Sequence, residues 1–254
     1  MTTVGDILAY LDTLAPPSMK MEWDNVGLLL GSKSTPVTKI LVALDPFEGV
    51  AAEAAQMGAE LIVTHHPLLF HPARQITDST SIGRTILTLA RSGISAINAH
   101  TNLDCADGGV NDVLAQTLGL SDVAVIGQEH LLRSGTIDTM PLEAFLALTK
   151  KKLHCDGLRY VDGGKAVRKV CVGGGSCADG MLEAVSAGCD TFVTADVKYN
   201  QFWDAQDLGL NLIDAGHFHT ENPVCAVIGK KLHDAFPEIQ VEISKNHADC
   251  MKFF

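Results

Sequence analysis

Two stretches of this chain follow one plan. TKILVAL (38–44) is echoed by RKVCVGG (168–174), and AEAAQMGAELIVTHH (52–66) by LEAVSAGCDTFVTAD (182–196). SGISAINAHTNLD (92–104) is echoed by LGLNLIDAGHFHTE (208–221) with one residue inserted, and the segment 110–118 by PVCAVIGKKL (223–232). Agreement in both order and spacing points to an internal duplication. Within each copy, short apolar runs alternate with helical patterns of about a dozen residues. Such alternation needs crossover connections, so each sheet is expected to be largely parallel with helices on its faces. The expectation is an α/β protein of two duplicated halves with largely parallel or mixed sheets. The N-terminal half would span 1–124 and the C-terminal half 166–254. Between them a connecting segment, 125–165, holds a helix over 141–152 and the turn VDGGK. Upstream, Val4, Ile7, Leu8, Leu11 and Leu14 mark an amphipathic helix over 3–15, stopped by Pro16-Pro17.

Composition narrows the function classes. The 254 residues carry a net charge of −11, and the densest basic patch is Lys150-Lys151-Lys152. That is a poor basis for binding nucleic acid through phosphate contacts. No apolar run approaches the ~18 residues of a membrane span, and the N-terminus lacks the form of a signal peptide. The seven cysteines are scattered with no Cys-x-x-Cys, so a disulfide framework and a thiolate zinc site are not expected. Reduced thiols in the cytoplasm fit this pattern.

The chemistry concentrates at strand ends. The apolar run in LIVTHHPLLFHP (61–72) terminates in His65-His66, the strand over 94–99 is followed by His100 and Asp104, and the strand over 210–215 by His217, His219 and Glu221. His100 aligns with His217 and Asp104 with Glu221, so each copy delivers His-x-x-x-acid after the same strand. In open α/β sheets ligands gather beyond the carboxyl ends of the strands. Imidazoles with carboxylates form a donor set for zinc, manganese, iron, cobalt or nickel. Three ligands serve one catalytic ion, and the surplus here suggests two. Adjacent strand residues point to opposite faces, so His65 and His66 are expected at the strand-to-loop transition, where Pro67 ends the ladder. His71, His130, His154, His233 and His247 lack such company and read as ordinary surface or packing residues. Pro223 suits the first position of the next helix, with Asn222 as its cap and Glu221 just outside. The VGGGS turn could offer the amides of Gly173, Gly174 and Gly175 to a substrate anion, and Lys198 is a further candidate, although close helix–sheet packing is the favoured account of the glycines.

WDNVGL (23–28), IVTHHPLLF (62–70), NAHTNLD (98–104), GGVND (108–112), TADVKYN (194–200) and DAGHFHTENP (214–223) resemble the Nif-three-like proteins (Ngg-one-interacting factor three). Bacterial members of that family are often labelled GTP cyclohydrolase 1 type 2. The resemblance runs through nearly the whole chain, in a short form without a large inserted domain. It implies a duplicated α/β fold with a dinuclear metal centre between the halves, and a toroidal homohexamer. The family's ligands fall on His65, His66, Asp104, His217 and Glu221, and His100 matches a position near the metals; His219, after the same strand as His217, is a further candidate from the residues alone. It also implies a hydrolase that activates a metal-bridging water against a nucleotide-like or phosphoester small molecule. The alternative is a non-catalytic, metal-binding ring-shaped scaffold or adaptor.

Overall fold

Thr3 and Asp6 start the first helix by capping each other. The Asp6 amide donates to the Thr3 hydroxyl, and the Thr3 amide donates to the Asp6 carboxylate. In the computed structural model, which describes residues 1–254, this helix, α1, spans Val4–Leu14 and buries Val4, Ile7 and Leu11. There follow β1 (Gly27–Leu30), β2 (Lys39–Ala43), α2 (Glu48–Met57), β3 (Leu61–Thr64), α3 (Ser81–Arg91), β4 (Ser95–Asn98) and α4 (Thr101–Cys105). Next come α5 (Val110–Leu118), β5 (Ser121–Ile126), β6 (Leu132–Met140), α6 (Leu142–Leu153), β7 (Arg159–Val161), β8 (Val167–Val172), α7 (Met181–Ser186) and β9 (Thr191–Thr194). The chain ends with α8 (Tyr199–Asp207), β10 (Asn211–Asp214), α9 (His217–Glu221), α10 (Pro223–Ala235) and β11 (Gln240–Ile243). No helix is long and apolar enough to cross a membrane.

Two units divide the chain, one of Met1–Ala106 with Cys225–Ala248 and one of Asp107–Val224 with Asp249–Phe254. The divide differs from the expected 1–124, 125–165 and 166–254. Residues 125–165 are no connector, because β5, β6 and β7 belong to the second unit's sheet. The polar, glycine-containing sequence of β6, LRSGTIDTM, hid a nine-residue strand from a reading of apolar runs. The late return of α10 and β11 to the first unit was likewise unmarked, since β11 is four residues long and only half-buried.

The first unit's sheet has the order β1-β4-β3-β2-β11, parallel except for β1, which runs antiparallel to β4. Its core packs Leu41, Ile62 and Ala96 against Val50 and Ala54 of α2 and Ile86 and Leu89 of α3. The second unit's sheet has the order β5-β6-β8-β9-β10-β7, with β8, β9 and β10 parallel and the other pairs antiparallel. Its parallel strands β8, β9 and β10 bury side chains on both faces. Val170, Val172, Val193 and Ile213 join Phe145 and Leu114, whereas Cys171, Phe192 and Leu212 join Ala184 and Leu210. Strand alternation forces this split, and burial of each large side chain stabilises by about 1.5–3 kcal/mol.

The duplication holds contact by contact. The Lys39 ammonium donates to the Met57 carbonyl and the Lys169 ammonium to the Ala187 carbonyl, each at 2.6 Å. The Glu60 carboxylate accepts the Lys39 amide, as Asp190 accepts that of Lys169. β1 against β4 is matched by β7 against β10, both antiparallel, so the repeat extends into residues 125–165.

Burial raises the Glu60 carboxyl, but the amides of Thr38 and Lys39 outweigh it and hold the group below its ordinary 4.5. A depressed carboxyl contributes stability above its unfolded value and loses it as pH falls. The expected outcome is that Glu60→Gln loses less stability than wild type between about pH 5 and 3 in urea melts, the range in which such carboxyls protonate. Parallel curves would refute the assignment.

Candidate metal centre

Parallel register sets the first unit's donors at one level. Ala43 pairs with Thr64, and Thr64 with Asn98, so β2, β3 and β4 end together. Just past those ends lie Asp45, the His65-His66 doublet, and Ala99-His100. The backbone turns at once, with the His66 amide donating to the Leu44 carbonyl and the Thr64 hydroxyl to the His66 carbonyl. Strand geometry is broken there, as expected, and both rings of the doublet approach His100. The His65 and His66 centroids are 4.9 Å apart, and each lies within 5.5 Å of that of His100. One ring nitrogen from each of the three falls within 4.8 Å of the others.

Each ring is oriented through its other nitrogen. His65 Nδ1 donates to the Ala99 carbonyl at 2.9 Å, and a carbonyl can only accept. His66 Nδ1 meets Asp45 Oδ1 at 2.6 Å and His100 Nδ1 meets Asp24 Oδ1 at 2.8 Å. With the proton held on Nδ1, the neutral ring carries its lone pair on Nε2, and metal-binding histidines are set in this way. His65 Nε2 faces Asp104 Oδ1 at 3.6 Å, with His65 only 3% and Asp104 8% exposed. Asp104 reaches there because His100 caps α4, so His-x-x-x-acid spans one helical turn. The short helices α4 and α9 were not expected, because five residues leave too little periodicity to read.

In the second unit the same spacing lies in α9. His217 Nε2 stands 3.0 Å from Glu221 Oε2, and its Nδ1 meets Asp196 Oδ2 at 2.7 Å. Burial disfavours the imidazolium, but Asp196 and Glu221 outweigh it and push His217 up to about 10. Two carboxylates around one ring thus favour positive charge there. Gly175, at φ +62°, makes room for the His217–Glu221 pair, since a Cβ there would lie 2.2 Å from Glu221 Oε1 and 3.0 Å from His217 Nε2. Pro223 opens α10 and Glu221 lies just outside it, both as expected, and Glu221 also closes the short helix α9.

Several sequence candidates take other roles. The amides of Gly173, Gly174 and Gly175 donate to the Val193 carbonyl, Asn111 Oδ1 and Thr220 Oγ1. The three glycine amides of the VGGGS turn are thus spent within the fold, on β9, α5 and α9. Lys198 is exposed and starts α8, with its amide bonded to Gln201. His219 turns to the Leu153 carbonyl and to Asp249. The sequence reading missed Asp24, Asp45 and Asp196, which set the rings, and passed over His247, which bonds Asp45 at 2.8 Å. A signal existed for two of them. Asp45 follows β2 as His65 follows β3, and Asp196 is the repeat counterpart of His66. Asp24 and Asp45 are both held well below the usual carboxylate range. Burial opposes this, and His100 with Thr101 and His247 with His66, respectively, overcome it.

In metal-free protein the His217 imidazolium should persist through neutral pH. Its stabilisation is complete below the ordinary value of 6.5 and lost as pH rises through about 10. NMR titration should show its ring protons static from pH 6 to 8, and Asp196→Asn should bring the titration down toward neutrality. A wild-type midpoint near 6.5 would contradict this.

A family model described as Duf34/NIF3 (NGG1p interacting factor 3) matches residues 2–249. A Clostridium perfringens protein named GTP cyclohydrolase 1 type 2 homolog is 35% identical, over 98% of this chain and 99% of its own. The crystal structure of a Bacillus cereus protein related to NIF3 superposes with TM-score 0.92 at 25% identity, covering 99% of both chains. A Staphylococcus aureus crystal structure matches with TM-score 0.92 at 28% identity and the same coverage.

Proposed function

The chain belongs to the Duf34/NIF3 family, and on that footing we propose that it is a metal-dependent hydrolase of a nucleotide-like or phosphoester small molecule. The observation that carries this reading is the triplet of histidines His65, His66 and His100, each fixed through Nδ1 by an oxygen. Structural metal sites close their coordination, whereas three protein nitrogens leave a position for a water or a substrate. The proposed ligands are His65, His66, Asp104, His217 and Glu221, with His100 as a further ligand completing the histidine triplet. They suit two divalent ions per chain, zinc, manganese, iron, cobalt or nickel.

Bound ions would supply Lewis acidity toward a substrate oxygen and toward a water. The chain's own residues hold that chemistry in place. Asp45, Asp24 and the Ala99 carbonyl keep three rings in one tautomer, and Asp196 does so for His217. The cyclohydrolase name carried by relatives, such as the Clostridium perfringens protein, describes opening of a purine ring, and a phosphoester hydrolysis would use the same centre. A reduced cytoplasmic setting suits seven cysteines that form no disulfide, and a homohexamer belongs to the same reading.

Metal-loaded protein, screened against nucleoside triphosphates and p-nitrophenyl phosphate, should turn over at least one of them and lose that activity in EDTA. His65→Ala and Glu221→Ala should each bind less metal and melt lower, because binding energy is folding energy. Melts unchanged by either variant and by EDTA would contradict the metal reading. Full metal with no turnover across the panel would favour a scaffold or adaptor.

A further inference from the structure

Two large aromatic rings stand in solvent beside the His65, His66 and His100 cluster. Trp23 is 62% exposed and Phe70 47%. Their centroids lie 5.6 Å apart with the planes tilted by 52°. Both approach His100 close to edge-on, each with a centroid distance of 6.1 Å. Aromatic surface left in water next to a polar donor cluster is the pattern of a ligand surface, apolar on one side and polar on the other.

The rings stand on a fixed base. Asp24, next to Trp23, accepts from the His100 ring and from the amide and hydroxyl of Thr101. Asn25 Nδ2 donates to the Leu69 carbonyl at 2.7 Å, and Asn98 Nδ2 donates to the Asn25 carbonyl at 3.0 Å. The loop carrying Trp23 and the loop carrying Phe70 are thereby tied to each other and to the end of β4. A platform ordered before the ligand arrives binds at lower entropic cost.

The duplication adds an independent argument. In the second copy β9 passes to α8 through residues 195–198, whereas in the first copy β3 passes to α3 through residues 65–80. Phe70 sits in that added length, and residues 70–80 are exposed. Long connections without regular structure, in a fold of short ones, are characteristic of binding loops.

We propose that Trp23 and Phe70 form a platform on which a planar heteroaromatic ring of the substrate stacks, with the substrate's oxygens reaching the neighbouring histidines. This names the substrate class of the site and rests on the metal-hydrolase reading above. Stacking is tolerant of the ring's identity, since every such ring has a π face. The platform therefore selects planar rings over open-chain or sugar-only phosphates.

Trp203→Phe leaves Trp23 as the sole indole of a chain with two tryptophans. This variant, loaded with metal, would be titrated with AMP, GMP and CMP while indole fluorescence is followed, with ribose 5-phosphate as the control lacking a ring. The expected result is saturable quenching by at least one nucleotide and none by the control. By calorimetry, Trp23→Ala and Phe70→Ala should bind that nucleotide at least about fivefold more weakly, the lower end for loss of one stacking contact. Trp23→Phe should retain most of the affinity, and metal content should stay unchanged throughout. Quenching by none of the three nucleotides, or wild-type affinity in both alanine variants, overturns the platform. So does Trp23 emission that shifts on dilution without ligand, since the rings would then be covered by a second copy. Metal content on the same samples separates the two claims. Full uptake without quenching sinks the platform alone, and quenching without uptake sinks the hydrolase reading alone.

Discussion

The bond from an imidazole Nδ1 to a fixed oxygen organises this protein. It occurs at His65, His66, His100 and His217, with the acceptors Ala99 O, Asp45, Asp24 and Asp196. A histidine that is largely buried would otherwise pay for an unmet polar atom and would be free to rotate. Pinning one nitrogen removes both problems and fixes where the other nitrogen points. Asp45 and the Ala99 carbonyl stand beside the His65-His66 doublet because β2, β3 and β4 are parallel and end in register. The sheet topology and the donor geometry are one constraint seen at two scales.

Duplication explains how such a scaffold carries two different donor sets. The residues that hold the βαβ frame are kept in kind, Lys39 with Lys169 and Glu60 with Asp190, and they make the same bonds. The residues at the strand ends have diverged. Where the first copy has Asp45 the second has Gly175, whose missing Cβ admits Glu221 and His217. Where the first has His66 as a donor the second has Asp196 as a donor's anchor. The residue inserted ahead of His217 is Gly216, at φ +84°, a conformation that costs glycine little.

Much of this was legible in the sequence, for physical reasons. The strands β2, β3, β4, β9 and β10 and most of β8 are buried on both faces, so they read as largely apolar runs. The His-x-x-x-acid pairs showed because the spacing of one helical turn repeats in both copies. What stayed hidden was long-range or irregular. The link from Asp24 to His100 joins residues far apart in the chain, and no local pattern encodes it. His247 looked solitary because its partner, Asp45, is likewise distant. β6 escaped because its buried half is mixed, including the fully buried Arg133 paired with Asp112. The glycines of VGGGS are compatible with anion binding in sequence, yet their amides bond β9, α5 and α9.

The central claim is that histidines and carboxylates at these strand ends are metal donors, set by oxygens behind them. The most direct test is metal content per chain by ICP-MS, on protein purified without tag histidines and reloaded with divalent ions, beside an Asp24→Asn, Asp45→Asn double variant. The account predicts about two ions per chain in the wild type. It also predicts weaker retention in the variant against a competing chelator, by about 10- to 100-fold as for other supporting contacts to metal-binding histidines. Less than one ion per wild-type chain after reloading, or equal retention by both proteins, would contradict it.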